Sequence, residues 1–343
     1  MTTSASTATG HRTGVLWRRL RRLEGYYGGQ VASLVSPVIV VVVLFCVGLI
    51  SVSGFVSRDN LDSMLLLASL LGISAAGQTL VVILGGIDLS IAGMIGFGEV
   101  AVAVLSMQGM LMWQVMLLLL ACGVFIGIIN GGISSVFRVH PLIVTLGVGL
   151  MIEGGVLLWT TGGSAQGVTP AIFEHMTAIT SKVGPIPIPP ITLVWVAVAV
   201  VLIVLERRTS LGRYIYALGS NGEAAGLALA RRRSAWIGGY IVSAVSASLT
   251  GAFLSGLSGG PNIAIGNPYL FTSIAAVVVG GTSLVGGRGG YGRTIIGNFI
   301  IIEWTTILVG VGIGPNRQQS LLGVFIILVV AASGREAPLR MRV

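Results

Sequence analysis

Gly85-Gly86-Ile87-Asp88-Leu89-Ser90 interrupts two long apolar runs with a carboxylate and a pair of adjacent glycines. Both are costly where only lipid surrounds the chain, because hydrocarbon offers no partner to a charge or to a broken backbone ladder. Polar groups at such a depth therefore mark a place where protein, not lipid, must satisfy them. The surrounding composition secures the membrane reading. Hydrophobic residues make up 54% of the 343 and charged residues only 9%, and mean hydropathy is +0.96. A soluble domain carries about a quarter charged residues. The chain is an all-α polytopic membrane protein.

Apolar windows of about 20 residues predict ten spans, at 35–54, 62–84, 90–107, 111–133, 141–160, 190–205, 235–256, 270–285, 294–312 and 319–333. The segments 190–205 and 270–285 are short and flanked by glycine or proline, a pattern of broken or re-entrant helices. With ten crossings and the N-terminus inside, 17 of the 20 Lys+Arg residues fall on one side, leaving Arg58, Lys182 and Arg317 on the other. Positive charge collects in the cytoplasm, so both termini are expected there. The net charge of +9 thus reads as a topology signal rather than a nucleic-acid-binding surface. Residues 1–34 read as a basic, disordered cytoplasmic tail, since no short apolar core ends at a cleavage site. Residues 35–333 form the membrane domain and 334–343 a second cytoplasmic tail.

Several chemistries are excluded. There is no Walker A motif, and the single lysine, Lys182, follows serine rather than glycine. ATP is therefore not hydrolysed here by the usual route, and any pumping draws on a partner or an ion gradient. Cys46 and Cys122 lie within apolar spans as packing residues, and His11, His140 and His175 are scattered without metal-ligand spacing. No resident cofactor or metal is expected.

The longest charged segment between spans runs from 206 to 234. Ser220, followed three residues later by Glu223, has capping-box spacing, and the helix formers after it lead to Arg231-Arg232-Arg233. Cations at that end would suit the helix dipole and an anionic inner leaflet. Two readings remain open on the residues alone: an amphipathic linker resting on the membrane, or a docking helix for a soluble motor.

Four segments together resemble the permease subunits of ribose-type monosaccharide ABC importers. They are Gly85 to Ser90; Asn130-Gly131 with His140-Pro141-Leu142-Ile143-Val144-Thr145-Leu146-Gly147; Leu211-Gly212-Arg213 with Gly219-Ser220-Asn221-Gly222-Glu223-Ala224-Ala225; and Ile274-Ala275-Ala276 with Gly280-Gly281-Thr282-Ser283-Leu284 and Gly286-Gly287. The resemblance implies a ten-helix subunit of a bacterial inner-membrane transporter that works as a pair, as a homodimer or with a sister subunit. Two ATP-binding-cassette subunits, which bind ATP and Mg, would lie beneath, and a periplasmic or lipid-anchored substrate-binding protein above. It also places Gly212, Arg213, Gly219, Asn221, Glu223, Ala224 and Ala225 on the segment that meets the ATPase.

The embedded polar residues have two readings each. Asp88 can cap the half-helix that restarts after Gly85-Gly86, or lie with Ser90 beside a translocation path. Asn130 reads as a helix end and Pro141 as a first-turn proline, or both, with Gly85 and Gly86, as part of the path or its gate, and Thr145 as a path residue or a hydroxyl bonding back to a carbonyl. Gly280 and Gly281 read as close backbone packing or, with Thr282, as part of the path. Gly-Gly-x-x-Leu recurs at 85–89 and 280–284, a faint sign of duplication. Glu99, Glu153 and Glu303 fall within spans, with Arg138 and Arg317 as candidate partners. Where the family carries acidic residues, Tyr269 to Thr272 has none. Other cargoes for the same machine are a nucleoside, a signalling furanone or a branched-chain amino acid. A separate class, an ion-coupled transporter, would use Asp88 and the three glutamates as a relay.

Overall fold

The computed structural model describes residues 37–137, 139–163 and 166–333. The two tails and Arg138 lie outside these. Every apolar segment foreseen corresponds to a helix: α1 (Pro37–Ser51), α2 (Arg58–Ile83), α3 (Ile91–Met107), α4 (Met112–Val136), α5 (Pro141–Trp159), α7 (Ile191–Arg208), α10 (Arg232–Ser258), α11 (Asn267–Val279), α12 (Tyr291–Gly310) and α13 (Pro315–Ser333). Three short helices were not among the spans: α6 (Ala171–Thr177), α8 (Ser210–Ser220) and α9 (Gly222–Leu227). By length and apolarity, α2, α4, α5, α10 and α12 qualify as membrane spans.

The expectation of a break at 190–205 is corrected: α7 is one unbroken helix of 18 residues, because Pro189-Pro190 sits ahead of it and its charged end, Glu206 to Arg208, is still helical. The segment 270–285 is indeed short. Its helix has 13 residues, entered through a 3-10 turn at Ile263–Gly266.

At the centre lies α2, apolar all round and enclosed by protein along most of its length, as befits a helix without a polar face. Since apolar side chains gain little by leaving lipid for protein, packing and inter-helix hydrogen bonds do the work. Asn298 Nδ2 donates to the Ala68 carbonyl at 2.6 Å, and Thr79 and Thr294 hydroxyls lie 2.9 Å apart. Tyr291 donates to the Gly72 carbonyl at 2.7 Å and accepts from Trp195 Nε1 at 2.9 Å. These rungs tie α2 to α12 and α7. On another side, Gly123, Gly127 and Gly131 of α4 meet the backbone of α10 at Val245, Ile241 and Ile237, too close for any side chain. Outward-facing apolar residues such as Ile39 and Val42 on α1, Leu117 and Phe125 on α4, Leu150 on α5, and Val200 on α7 form the lipid belt.

Candidate functional site

Two clusters, joined at the end of α2, hold nearly all the residues singled out in the sequence. The first begins where α2 stops. Gly86 N–H donates to the Val81 carbonyl and Gly85 N–H to that of Val82, both at 2.9 Å, the paired bonds of a Schellman stop. Gly85 has φ +83°, where a side chain would strain the backbone. The chain then turns into α3 through a knot of side chains. Asp88 is only 1% exposed, and its Oδ1 accepts from Ser90 N–H at 2.9 Å and from the Ser90 hydroxyl at 2.6 Å. Asn130 Nδ2 donates to that same hydroxyl oxygen at 2.9 Å.

Leu89 N–H is taken by Thr145 Oγ1 at 3.0 Å, which lies 3.0 Å from the Pro141 carbonyl oxygen. Free N–H groups at the entry to α3 are thus satisfied by two side chains, one local and one from α5. Asp88 does accept from the turn leading into the helix, while the N-cap position itself is Ser90, whose own side chain makes no cap bond. Pro141 is the first-turn proline of α5, behind His140, whose ring accepts from Leu142 N–H.

Asn130 is corrected. It is not at a helix end but six residues inside α4, fully buried, because the glycine face beside it presses α4 onto α10 and extends the helix to Val136. Two α10 residues that the sequence reading missed complete the knot. The Tyr240 hydroxyl stands 3.0 Å from where a side chain on Gly86 would begin, and Ser243 touches Gly77 of α2. The Ser243 hydroxyl faces the Asp88 carboxyl, and Asn130 Oδ1 and Tyr240 Oη are buried without a protein hydrogen bond. Groups of this kind are free to bond water or a polar solute. Their available signal was two polar residues three apart on one face of an apolar helix.

The second cluster lies on the other side of Gly85. Here α11 ends with the same stop: Thr282 N–H donates to the Val277 carbonyl and Gly281 N–H to that of Val278, with Gly281 at φ +94°. Any side chain on Gly280 would strike the Arg293 carbonyl, so close packing of α11 on α12 accounts for that glycine. The loop that follows folds back on α2, where Gly287 N–H donates to the Ile83 carbonyl at 2.8 Å. Against both packs Gly219, where a Cβ would fall on the Ile83 carbonyl oxygen and 2.6 Å from Gly287 N. Segments 85–90, 219–225 and 280–287, distant in sequence, therefore meet at one junction.

Within 206–234 the geometry corrects two expectations. The cap of α9 is Asn221, not Ser220. Asn221 is extended, and its side chain accepts from Glu223 and Ala224 N–H at 3.1 and 3.0 Å. Ser220 remains helical and spends its hydroxyl on the Tyr216 carbonyl at 2.7 Å. Nor does that short helix end in the arginines: it stops at Leu227, and Arg232 and Arg233 open α10 instead, so they face the positive end of a dipole. Arg232 lies over the Trp236 ring at 5.9 Å, a cation–π contact that offsets this.

Thr209 caps α8 by accepting from Gly212 N–H. Arg213, Glu223 and Ala224 are exposed and Ala225 is buried. Tyr216 donates to the Gly289 carbonyl at 3.1 Å. Burial, and then the Glu206 carboxylate beside it, push its hydroxyl above the ordinary value, so it stays a donor.

The remaining span carboxylates are dispersed. Glu99 of α3 accepts from Ser258 Oγ and Asn262 N–H, both at 2.7 Å, so serine and backbone hold it rather than an arginine. Glu303 of α12 is buried with one oxygen unpartnered, and Glu153 is half-buried on α5. Gly256-Leu257-Ser258-Gly259-Gly260 has the spacing of a hydrolase elbow, but it closes a helix rather than joining a strand to one, and its serine is committed to Glu99.

Residues 60–331 match the family described as branched-chain amino acid transport system / permease component. The chain is 31% identical to the probable ABC transporter permease protein YphD of Escherichia coli K12, over 87% of this chain and 89% of that one. It is 31% identical to the ribose import permease protein of the same organism, over 82% and 88%. To the fructose import permease protein of Rhizobium meliloti it is 29% identical, over 91% and 88%. No solved structure matches it significantly.

Proposed function

The chain belongs to that permease-component family, and from this membership we propose that it forms, as half of a two-subunit pore, the path by which a monosaccharide or similar small polar solute enters the cell. It is a multi-pass membrane protein and a transporter subunit rather than an enzyme; ATP is hydrolysed by a separate ATPase subunit, and a substrate-binding protein delivers the solute. In the proposed assembly, ATP and Mg are held wholly by that ATPase. The second half of the pore is another copy or a sister subunit, and the assembly sits in a bacterial inner membrane with both termini of this chain inside. Relatives named for ribose and fructose favour a polyhydroxylated cargo over an amino acid. An ATP-driven machine also removes the need for a carboxylate relay, in keeping with glutamates that sit apart on α3, α5 and α12.

The observation that carries the reading is the junction at Gly219. A segment of the kind expected to meet the ATPase is seated, backbone on backbone, against the end of the central helix. From there the chain passes directly into the Asp88 knot. Movement of α8 and α9 when the ATPases close on ATP would be felt at Ile83 and Gly85, where α2 gives way to α3. Asp88, Ser90, Asn130 and Thr145 would then act as the hinge that holds α3 to α4 and α5, rather than as groups that touch the solute in this conformation.

The test is purification of the chain from native membranes in mild detergent, with the co-purifying proteins identified by mass spectrometry, followed by uptake of labelled ribose. Recovery of an ATPase subunit together with the binding protein is expected. Glu223→Lys, on the exposed face of α9, should insert normally yet lose the ATPase and all uptake. A chain recovered alone across several detergents, or a fully active Glu223→Lys, would sink the reading.

A further inference from the structure

Glu206 is a buried ionisable group that the proposed mechanism leaves unused. It sits at the end of α7, 6% exposed, and both its oxygens accept from the backbone N–H of Tyr291, at 3.0 and 3.1 Å. That N–H opens α12, so the carboxyl group of one helix caps the start of another. Three further bonds converge on the same corner. Tyr216 of α8 holds the Gly289 carbonyl, Thr282 accepts from Gly290 N–H at 3.4 Å, and Arg293 Nη1 donates to the Gly281 carbonyl at 3.1 Å. At its other end the 283–290 loop is held by Ile83 and by Gly219. The loop is thus held at Gly286 and Gly287 by backbone atoms of α2 and α8, and from Gly289 to Tyr291 by the side chains of Tyr216, Thr282 and Glu206.

We propose that Glu206, with Tyr216, is a positioning residue of energy coupling: the two clasp the 283–290 loop so that displacement of α8 and α9 is delivered to the first turns of α12. The proposal rests on the importer reading and adds a named route to it. Without Glu206 the corner loses the acceptor that anchors Tyr291 N–H, and α8 can move without carrying the start of α12 with it. Tyr216 adds a side-chain link from α8 at the α12 end of the loop, beyond the backbone contact that Gly219 of α8 makes near Gly287. Gly290 leaves room for the clasp: a Cβ there would stand 3.0 Å from the Tyr216 hydroxyl and 3.3 Å from a Glu206 oxygen.

The experiment uses the whole transporter, purified with its ATPase in lipid nanodiscs, and follows hydrogen exchange with and without ATP, Mg and vanadate. In the unmodified protein, trapping should alter exchange both at 210–227 and at 291–297. In Glu206→Leu, which removes the acceptor, and in Tyr216→Phe, the change at 210–227 should persist while that at 291–297 falls to less than half. ATP hydrolysis should stay within about two-fold while ATP-driven uptake of labelled ribose falls about ten-fold, a coupling loss of ordinary allosteric size. Tyr216→Phe removes one hydroxyl and keeps the ring, so it tests the link even where Glu206→Leu fails to fold. Retention of the 291–297 response in Tyr216→Phe overturns the proposal. So does an unmodified transporter that responds at 210–227 and not at 291–297, with the importer reading intact. An unmodified chain with no associated ATPase overturns both.

Discussion

The ends of α2 and α11 are built alike and used differently. Leu84-Gly85-Gly86 and Gly280-Gly281-Thr282 stop their helices with the same two backbone bonds and the same left-handed glycine. Beyond the stop they diverge. After α2 the chain is held by side chains, with Asp88, Ser90, Asn130 and Thr145 bonded in a chain that spans α3, α4 and α5. After α11 the contact with α2 and α8 is made by backbone: Gly287 N–H donates to the Ile83 carbonyl, and a Cβ on Gly286 would stand 3.0 Å from the Ile83 and Gly219 carbonyl oxygens, while side chains enter only beyond it, at Gly289 and Gly290. A side-chain knot can loosen one rotamer at a time, whereas a backbone contact is either made or broken. The first suits a hinge, and the second suits transmission of a push.

Substitutions can break this contrast or sharpen it. The largest effect is expected from Gly219→Val, whose branches have nowhere to go but into the Ile83 carbonyl. Overpacking against a backbone costs about 3 kcal/mol or more, and both thermal stability in detergent and ATP-driven uptake should collapse. A tolerated valine would show that the junction yields after all. Next comes Thr145→Val, which keeps the shape but takes the side-chain acceptor from the half-buried Leu89 N–H. It should cost about 1–3 kcal/mol, seen as a lower melting temperature, with uptake impaired but measurable. Gly85→Ala and Gly281→Ala form a matched pair. Each forces a side chain into the left-handed region at about 1–2 kcal/mol, and near-equal losses in thermal unfolding would confirm that the two stops are one device. The smallest effect belongs to Asp88→Asn. The amide oxygen can still accept from Ser90, and asparagine caps about as well as aspartate, so stability should change by less than about 1 kcal/mol. A large loss of stability would mean that the charge, not the cap, holds the knot.

Much of this arrangement was legible in the residues. Apolar length located ten helices, because a backbone in lipid has few other ways to satisfy itself. Gly85, Gly280 and Gly281 were visible as stops or close contacts. Register was less accessible. The Gly-Gly-x-x-Leu echo pairs Gly85 with Gly280, whereas the backbones pair Gly85 with Gly281, since the left-handed residue and not the sequence pair sets the match. Ser220 and Asn221 are adjacent and equally suited to cap, and only the extended backbone at Asn221 decides between them. Glu206 was hidden for another reason. It stands at the edge of an apolar run and reads as the first residue of a charged loop, while its partner lies 85 positions away. Long-range pairs such as Trp195 with Tyr291 leave no local trace at all.

The three glycines that seat α4 on α10 have a practical consequence. Where two helix backbones touch over successive turns, no side chain intervenes to repack, and the pair behaves as a single beam. Spectroscopic labels placed one on each helix beside that seam would keep a constant separation through the transport cycle. They supply a fixed ruler within the molecule, against which the travel of every other helix can be calibrated.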